Sequence, residues 1–318
     1  MMTTLITGAG LIGRLTAEML VARGDRVVLA DIRDPGLALP FALCDVTDAD
    51  RLDAIIRDHQ VRRIVHTAAM LSTGIRANPP RGVAVNVIGT TNILDAARRH
   101  GLGRVVCASS TTVGYTMFAG RGAAPIEEDL PMRMLSDRPA SLYAASKIAG
   151  EHIALLYYDL YRVDAVMLRY AAVLGVGAGP ASSVPSRLLQ RLIAGGRSGA
   201  TVVLDDPFEL WAGQEEFVDA RDCAAANLAA LDASDPVQRV YHVANGSWFS
   251  LDAFIATVRD QFPALRVEIP KAPTAGFAGF PHLRPAPSDI GAAARELGFC
   301  ARITLGDTIA HCAAVAPS

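Results

Sequence analysis

The chain has 318 residues, of which 51% are apolar and 19% charged, with a net charge of −2 at pH 7. Such a chain can build a sizeable core in one large or two smaller domains, and its near-neutral charge gives no long-range attraction to nucleic acid or an anionic membrane. No run is long and apolar enough to span a bilayer, and the five cysteines show neither C-x-x-C nor metal-ligand spacing with histidine, so no metal site is expected.

A short apolar run, Leu5-Ile6, leads into Thr7-Gly8-Ala9-Gly10-Leu11-Ile12-Gly13, and Leu15, Met19 and Leu20 then recur at helical spacing. Gly8, Gly10 and Gly13 give G-x-G-x-x-G between strand and helix. The first glycine permits a tight turn, the second lets the backbone approach a pyrophosphate, and the third lets helix and strand pack closely. Eighteen residues past Gly13, Asp31 ends a second apolar run from Arg26. A carboxylate there accepts hydrogen bonds from both hydroxyls of an adenine ribose and repels a 2′-phosphate, which favours NAD over NADP. Arg33 can soften that preference.

Residues 40–44 read as a third strand. Thr47 or Asp48 caps a helix over 49–59, and 63–66 is a fourth strand. A loop over 67–79 precedes a helix that starts near Pro80 and ends at Gly101. A fifth strand covers 104–108, and a long loop rich in Gly and Pro runs over 110–140. Ser141 caps a helix over 142–161, and 165–169 is a sixth strand. This alternation implies right-handed crossovers and a parallel sheet covered on both faces.

Beyond Tyr170 the rhythm changes. A glycine loop occupies 175–180, helices fit 184–194, 220–231, 251–261, 290–297 and 305–313, and short strands fit 201–204 and 240–243. The stretch 271–287 reads as a flap. The expectation is a Rossmann-type doubly wound parallel sheet over 1–170 with a smaller substrate-binding lobe over 171–318, interleaved with the sheet. Because the first strand begins at once, no secretory leader is expected. The five thiols, Cys44, Cys107, Cys223, Cys300 and Cys312, are read as buried and inert in a reducing cytoplasm.

The chemistry centres on Tyr143-Ala-Ala-Ser-Lys147 at the start of a helix. A spacing of four puts phenol and ammonium on one face. A free phenol titrates near ~10, and lowering it by ~3 units needs ~4 kcal/mol of preference for phenolate. A nearby ammonium and the positive ring of an oxidised nicotinamide both act in that direction. Ser110, directly after the fifth strand, lies where a parallel sheet presents ligands and can hold a substrate hydroxyl. His66 is read as structural, Glu127-Glu128-Asp129 as a solvated loop, and Trp211 and Trp248 as buried. Arg284 is a candidate clamp for a substrate carboxylate.

With these residues in order, the chain resembles the extended short-chain dehydrogenases/reductases of the NAD-dependent epimerase/dehydratase type over nearly its whole length. The matching stretches include Thr7–Gly13, Asp31, Asp45-Val46, His66–Ala69, Asn86–Thr90, Ser109-Ser110, Tyr143–Lys147 and Leu168–Tyr170. The resemblance implies Tyr143 as acid/base, Lys147 as its electrostatic partner and Ser110 as hydrogen-bond donor to substrate. It places Leu11 and Ile12 under the pyrophosphate, Ile32 beside the ribose, and Asp45 and Val46 beside adenine. Thr67, Ala68, Ala69 and Asn86 would lie along the cofactor, Tyr170 near nicotinamide, and Ser72 and Thr111 near substrate. It also implies a homodimer through the helices beginning near Pro80 and Ser141.

The departures bear on the reaction. The first turn is one residue shorter than the family's G-x-x-G-x-x-G, and the usual V-Y-G reads Val113-Gly114-Tyr115. Gln214-Glu215-Glu216 stands where nucleotide-sugar members carry an arginine, and a carboxylate there would repel a diphosphate. His66–Ser72 resembles the short-chain L-threonine dehydrogenases, although their R-Y-P-G is absent. The expected activity is NAD-dependent oxidation of a secondary alcohol in a small polar substrate, such as a sugar acid, sugar or hydroxy-amino acid. The alternatives are a sugar-nucleotide epimerase and a non-catalytic dinucleotide sensor.

Overall fold

The computed structural model describes residues 2–118, 120–133, 135–139, 141–177, 181 and 183–315, so part of the expected glycine loop at 175–180 lies outside the described residues. The N-terminal half runs β1 (Thr3–Thr7), α1 (Leu11–Ala22), β2 (Arg26–Asp31), β3 (Phe41–Leu43), α2 (Ala49–Asp58) and β4 (Val61–His66). Asp48 caps α2 by accepting the Arg51 N–H, the local reason the helix starts there. The stretch expected as a loop over 67–79 contains a short helix, α3 (Ser72–Ala77). A continuous helical rod follows: α4 (Pro79–Val83), a π-helical turn (Ala84–Ile88) and α5 (Gly89–His100), ended by Gly101 at φ +57. After β5 (Val105–Ser110) a 3-10 turn covers Thr111–Met117, and α6 (Leu142–Tyr161) is capped by Ser141 accepting the Ala144 N–H.

The C-terminal half adds β6 (Ala165–Tyr170), β7 (Ala172–Leu174), α7 (Val184–Ser198), β8 (Thr201–Val203), β9 (Glu215–Asp219), α8 (Ala220–Asp232), β10 (Val240–Val243), β11 (Trp248–Phe249), α9 (Leu251–Gln261), β12 (Arg266–Glu268), α10 (Gly291–Leu297) and α11 (Leu305–Val315). Seven strands form one parallel sheet in the order β10-β6-β5-β4-β1-β2-β3. The order reverses between β1 and β4, and in such sheets ligands lie at the carboxyl ends of the strands beside that reversal.

One face of the sheet is covered by α1, α8 and α10, with Ala17, Leu20, Cys223, Ala226 and Ala293 buried against Ile6, Val106 and Val166. The other is covered by α2, α5 and α6, with Leu52, Ile55, Ile93, Leu94 and Ala154 against Leu5, Ile64 and Val105. The chain returns late to complete the sheet, because β10 pairs with β6 through Val240 to Val243. A third core, around Trp211, Phe217, Phe254, Leu188 and Ile309, belongs to the lobe built on β7, β9, α7, α9 and α11.

Two expectations fail here. Cys300 is exposed, whereas the other four cysteines are buried, because Cys300 follows α10 on a surface turn. Glu128 is not solvated: its carboxylate accepts the His242 N–H at 2.9 Å, and burial raises its pKa. The strand β9 escapes the sequence because it opens on two glutamates, and an inward carboxylate is tolerated only with a partner from elsewhere in the chain.

Candidate active site

The glycine turn between β1 and α1 is shaped by close backbone approach. Gly8 sits at φ +91, and a Cβ there would lie 2.4 Å from the Ala68 nitrogen; a Cβ on Gly13 would lie 1.9 Å from the Gly8 carbonyl oxygen. Gly10 differs, because a Cβ there would meet nothing within 4 Å. Its vacant side faces the cleft. It is the N-cap of α1, no side chain caps that helix, and no acidic residue stands in its first turn. The N–H groups of Leu11, Ile12 and Gly13 therefore keep their capacity for an anion. Thr67 braces the turn, its Oγ1 donating to the Gly8 carbonyl at 2.8 Å.

Asp31 stands at the end of β2, where its Oδ2 accepts the Ala9 N–H at 2.6 Å and its Oδ1 the Arg33 N–H at 3.2 Å. The side chain is thus held beside the glycine turn, with Ile32 and Arg33 exposed on the rim. Asp45 accepts from the Thr47 N–H and hydroxyl and pairs with Arg81. Partial burial opposes ionisation, but these partners still hold Asp45 below the usual carboxylate range. Val46 is buried, and its carbonyl accepts from Asn92. Ala68 gives its N–H to the Thr7 carbonyl, while Thr67 and Ala69 line the cleft. Asn86 is buried. Its amide oxygen accepts the Met70 N–H and its Nδ2 donates to the Met70 carbonyl and Ser146 Oγ, so it ties the 67–71 segment to α6.

A cavity of about 290 Å³ opens at the carboxyl ends of β1, β4 and β5, and Gly10, Ser110, Tyr143, Lys147 and Tyr170 all line it. Ser110 is placed by its position as last residue of β5 and first cap of the 3-10 turn, its Oγ accepting the Thr112 N–H at 3.2 Å. Tyr143 and Lys147 lie one turn apart on α6, with the ammonium 5.7 Å from the centre of the phenol ring. Burial pushes the Tyr143 phenol up to about 12, against the hydrogen bond from Ser110. Burial also lowers the Lys147 ammonium to about 8, opposed by Cys107 and Glu151. Lys147 Nζ donates to the Ala108 carbonyl at 2.7 Å, which fixes its reach.

Tyr170 shows the cleft only its ring. Its hydroxyl donates to Asn227 Oδ1 at 2.7 Å, Asn227 Nδ2 donates to Thr16 Oγ1, and Thr16 Oγ1 donates to the Ile12 carbonyl. A chain of hydrogen bonds thus joins the end of β6 to the first turn of α1. His66 is buried between Thr7 and Thr90, and burial, with help from Lys147, lowers it to about 3, so it is a neutral framework group.

The substrate side departs from expectation at two linked residues. Arg284 is not available to a ligand carboxylate. Its Nε donates to Glu215 at 2.8 Å, its Nη1 lies 3.2 Å from Glu216, and its side chain is 1% exposed. Glu215 likewise does not face a ligand: it also accepts the Tyr115 hydroxyl, and Glu216 accepts the Ser288 hydroxyl at 2.7 Å. Two buried carboxylates need a cation, and Arg284 is the one that the fold brings to them. Ser72, the first residue of α3, and Thr111, the first of the 3-10 turn, line the cleft. Sequence reasoning missed Thr112, Tyr115 and Phe280 in the lining. The reordered Val113-Gly114-Tyr115 was the available signal, since moving the tyrosine by one place puts its ring beside Phe280, 4.3 Å between centroids.

Among the described residues no group of three or more His, Cys, Asp or Glu is placed to hold a metal, and no helix is long and apolar enough to cross a membrane. The profile of the NAD dependent epimerase/dehydratase family matches residues 4–244. The chain is 35% identical over 187 residues to a UDP-glucose 4-epimerase of Mycolicibacterium smegmatis, covering 55% of this chain and 57% of that one, just over half the relative's length. It is 29% identical over 275 residues to the mitochondrial L-threonine 3-dehydrogenase of Bos taurus, covering 83% and 69%. Among solved structures, the UDP-glucose 4-epimerase of Thermus thermophilus in complex with NAD superposes with a TM-score of 0.76 at 26% identity, covering 99% of this chain and 100% of that one.

Proposed function

The chain belongs to the NAD-dependent epimerase/dehydratase family and is an NAD-dependent enzyme, and from that premise we propose that it is a dehydrogenase, which oxidises a secondary alcohol of a small polar substrate and releases NADH. The observation that carries this reading is the charge of the cleft. Lys147 is the one charged side chain among its described lining residues, and it is bound to the Ala108 carbonyl. A nucleoside diphosphate buried there would lack the cations that such a group needs.

The residues present suit the dinucleotide. Gly10 leaves room for the pyrophosphate, the uncapped start of α1 donates to it, and Asp31 is turned to accept from the ribose hydroxyls. When bound, the dinucleotide would supply the hydride acceptor and a positive charge. Ser110 Oγ orients the substrate hydroxyl, and Tyr143 Oη removes its proton as the carbinol hydride leaves. Moving a phenol from about 12 to neutral pH requires ~7 kcal/mol. The Lys147 ammonium contributes by stabilising phenolate, and the positive charge of an oxidised cofactor would act in the same direction. The backbone carbonyl of Ala108 keeps the ammonium under α6 throughout.

A second reading, sugar-nucleotide epimerisation, is favoured by the M. smegmatis and T. thermophilus relatives. Burial of Glu215 against Arg284 also removes the repulsion expected for a diphosphate. The test is NADH release from NAD with a panel of sugars, sugar acids and hydroxy-amino acids, with UDP-sugars in parallel and products separated by chromatography. Steady NADH release that is lost in Tyr143→Phe supports the dehydrogenase; a new UDP-sugar isomer without NADH supports the epimerase. Pairing of two copies is proposed through the helical rod from α4 to α5 and through α6, where Ile88 in the π-helical turn and Leu142, Leu156 and Leu160 on α6 are exposed.

A further inference from the structure

We infer that Glu151 is a positioning residue of the site, which ties α6 to the ends of β5 and β6 and sets a negative charge one turn beyond Lys147. This rests on the reading that Tyr143 takes the proton of the alcohol, and it names what holds Tyr143 and Lys147 against Ser110.

The tie is built on adjoining strands. Ser109 and Arg169 stand opposite one another where β5 and β6 pair. One carboxylate spans both. Glu151 Oε1 accepts the Ser109 hydroxyl and the Arg169 Nε–H at 2.9 Å, and Oε2 accepts Arg169 Nη2 at 2.7 Å. The pair is buried, with 3% of the Glu151 and 7% of the Arg169 side chain exposed. Arg169 Nη1 reaches the Glu128 carbonyl at 2.8 Å, which joins the segment between β5 and α6 to the same cluster. Tyr143, Lys147 and Glu151 recur every four residues on α6 and form one stripe on that helix. They meet Ser110, Ala108 and Ser109, three successive residues of β5. The helix is therefore fastened to the strand that carries Ser110 at every turn of the stripe.

The charge matters as well as the tie. A buried ion pair is weak evidence for stability, since apolar residues of the same shape often serve as well. What a carboxylate adds here is its field at Lys147. Burial lowers that ammonium to about 8, and Cys107 and Glu151 oppose the fall. The Cys107 thiol on β5 is pushed by burial up to about 12, and His66 on β4 is lowered to about 3, so both are neutral at pH 7. Burial also raises the Tyr143 and Tyr170 phenols, which leaves them neutral. Glu151 is then the anion of this group that holds Lys147 as an ammonium. The Arg169 charge on β6 opposes it, so the test includes a variant that removes both.

The chain has two lysines, Lys147 and the exposed Lys271. Labelling lysine with 13C at Cε in the full chain therefore gives two NMR signals, which Lys271→Arg assigns, and the titration of Lys147 is followed directly. It is expected near 8 in the wild type. Glu151→Gln keeps the shape and removes the charge, and should move the Lys147 titration down by about one pH unit. Glu151→Asp keeps the charge and should restore most of that change. Where Glu151→Gln does not fold because Arg169 is left unpaired, Glu151→Gln/Arg169→Gln leaves no lone buried charge and should move Lys147 in the same direction. A merely structural carboxylate would lower Tm and leave the titration in place. An unmoved titration in Glu151→Gln, or in the double variant where the single one does not fold, overturns the inference. NADH release is read separately. Activity that survives Tyr143→Phe overturns the reading of Tyr143 alone, and an unmoved Lys147 with Tyr143 essential overturns the inference alone.

Discussion

The two walls of the cleft are built in different ways. The cofactor wall is a contiguous piece of chain, Thr7 to Gly13, whose geometry comes from glycines and one helix start. The substrate wall joins Tyr115, Glu215, Phe280 and Arg284, and its key ion pair spans 69 residues of sequence. The first wall works through the absence of side chains, because open space at Gly10 and bare N–H groups suit a pyrophosphate. The second works through side chains that neutralise one another, which leaves a surface of rings and hydroxyls. A local motif forms the first wall, whereas the second rests on a buried cluster that no short pattern encodes.

The sharpest way to break this contrast is at the seam between the walls. Tyr143→Phe should lower kcat by about 10²–10⁴, the usual contribution of a positioned acid/base. NAD affinity, followed by quenching of protein fluorescence, should stay near the wild-type value because the cofactor wall is untouched. Arg284→Met should cost about 3–5 kcal/mol in urea unfolding by leaving two carboxylates buried without their cation. A loss below ~1 kcal/mol would mean that the cluster does not hold the substrate wall.

Lys147→Met tests the link between stability and activity. The Lys147 pKa is lowered to about 8 in the fold, so burial penalises the charged form fully below that value, and the penalty fades as pH rises towards ~10.4, the unfolded value. Removing the charge should therefore stabilise the protein at pH 7 by about 1–3 kcal/mol. In the same variant the phenol loses its positive neighbour, so the rise of kcat/KM with pH should move to higher pH. A profile that stays in place would separate Lys147 from the proton transfer. The mildest test compares Gly10→Ala with Asp31→Ser. Gly10→Ala meets no protein atom, so Tm should hold while NAD affinity falls about tenfold. Asp31→Ser should keep NAD binding within about tenfold and improve NADP relative to NAD, read as the ratio of the two dissociation constants.

Much of the fold was legible because parallel sheets repeat a local rhythm. The helix over Leu142–Tyr161 and the strands ending at Asp31 and His66 follow from capping and apolar runs alone. The short strands Ala172–Leu174 and Glu215–Asp219 were not legible, since three to five residues carry too little pattern and Glu215 and Glu216 disguise the second. Asn86 and Arg284 were read for their chemistry, and tertiary structure assigned their hydrogen bonds to Met70 and Glu215.

By itself the sequence determined the family, the dinucleotide turn and the Tyr143–Lys147 spacing, because each depends on residues within a few positions of one another and on backbone geometry that repeats. Only the tertiary structure decided that Glu215 and Arg284 neutralise each other, that Tyr115 turns its hydroxyl away from the cleft, and that Thr112 is left without a partner. Charge in a buried site depends on which groups the fold brings within a few ångströms, and burial makes those pairings compulsory.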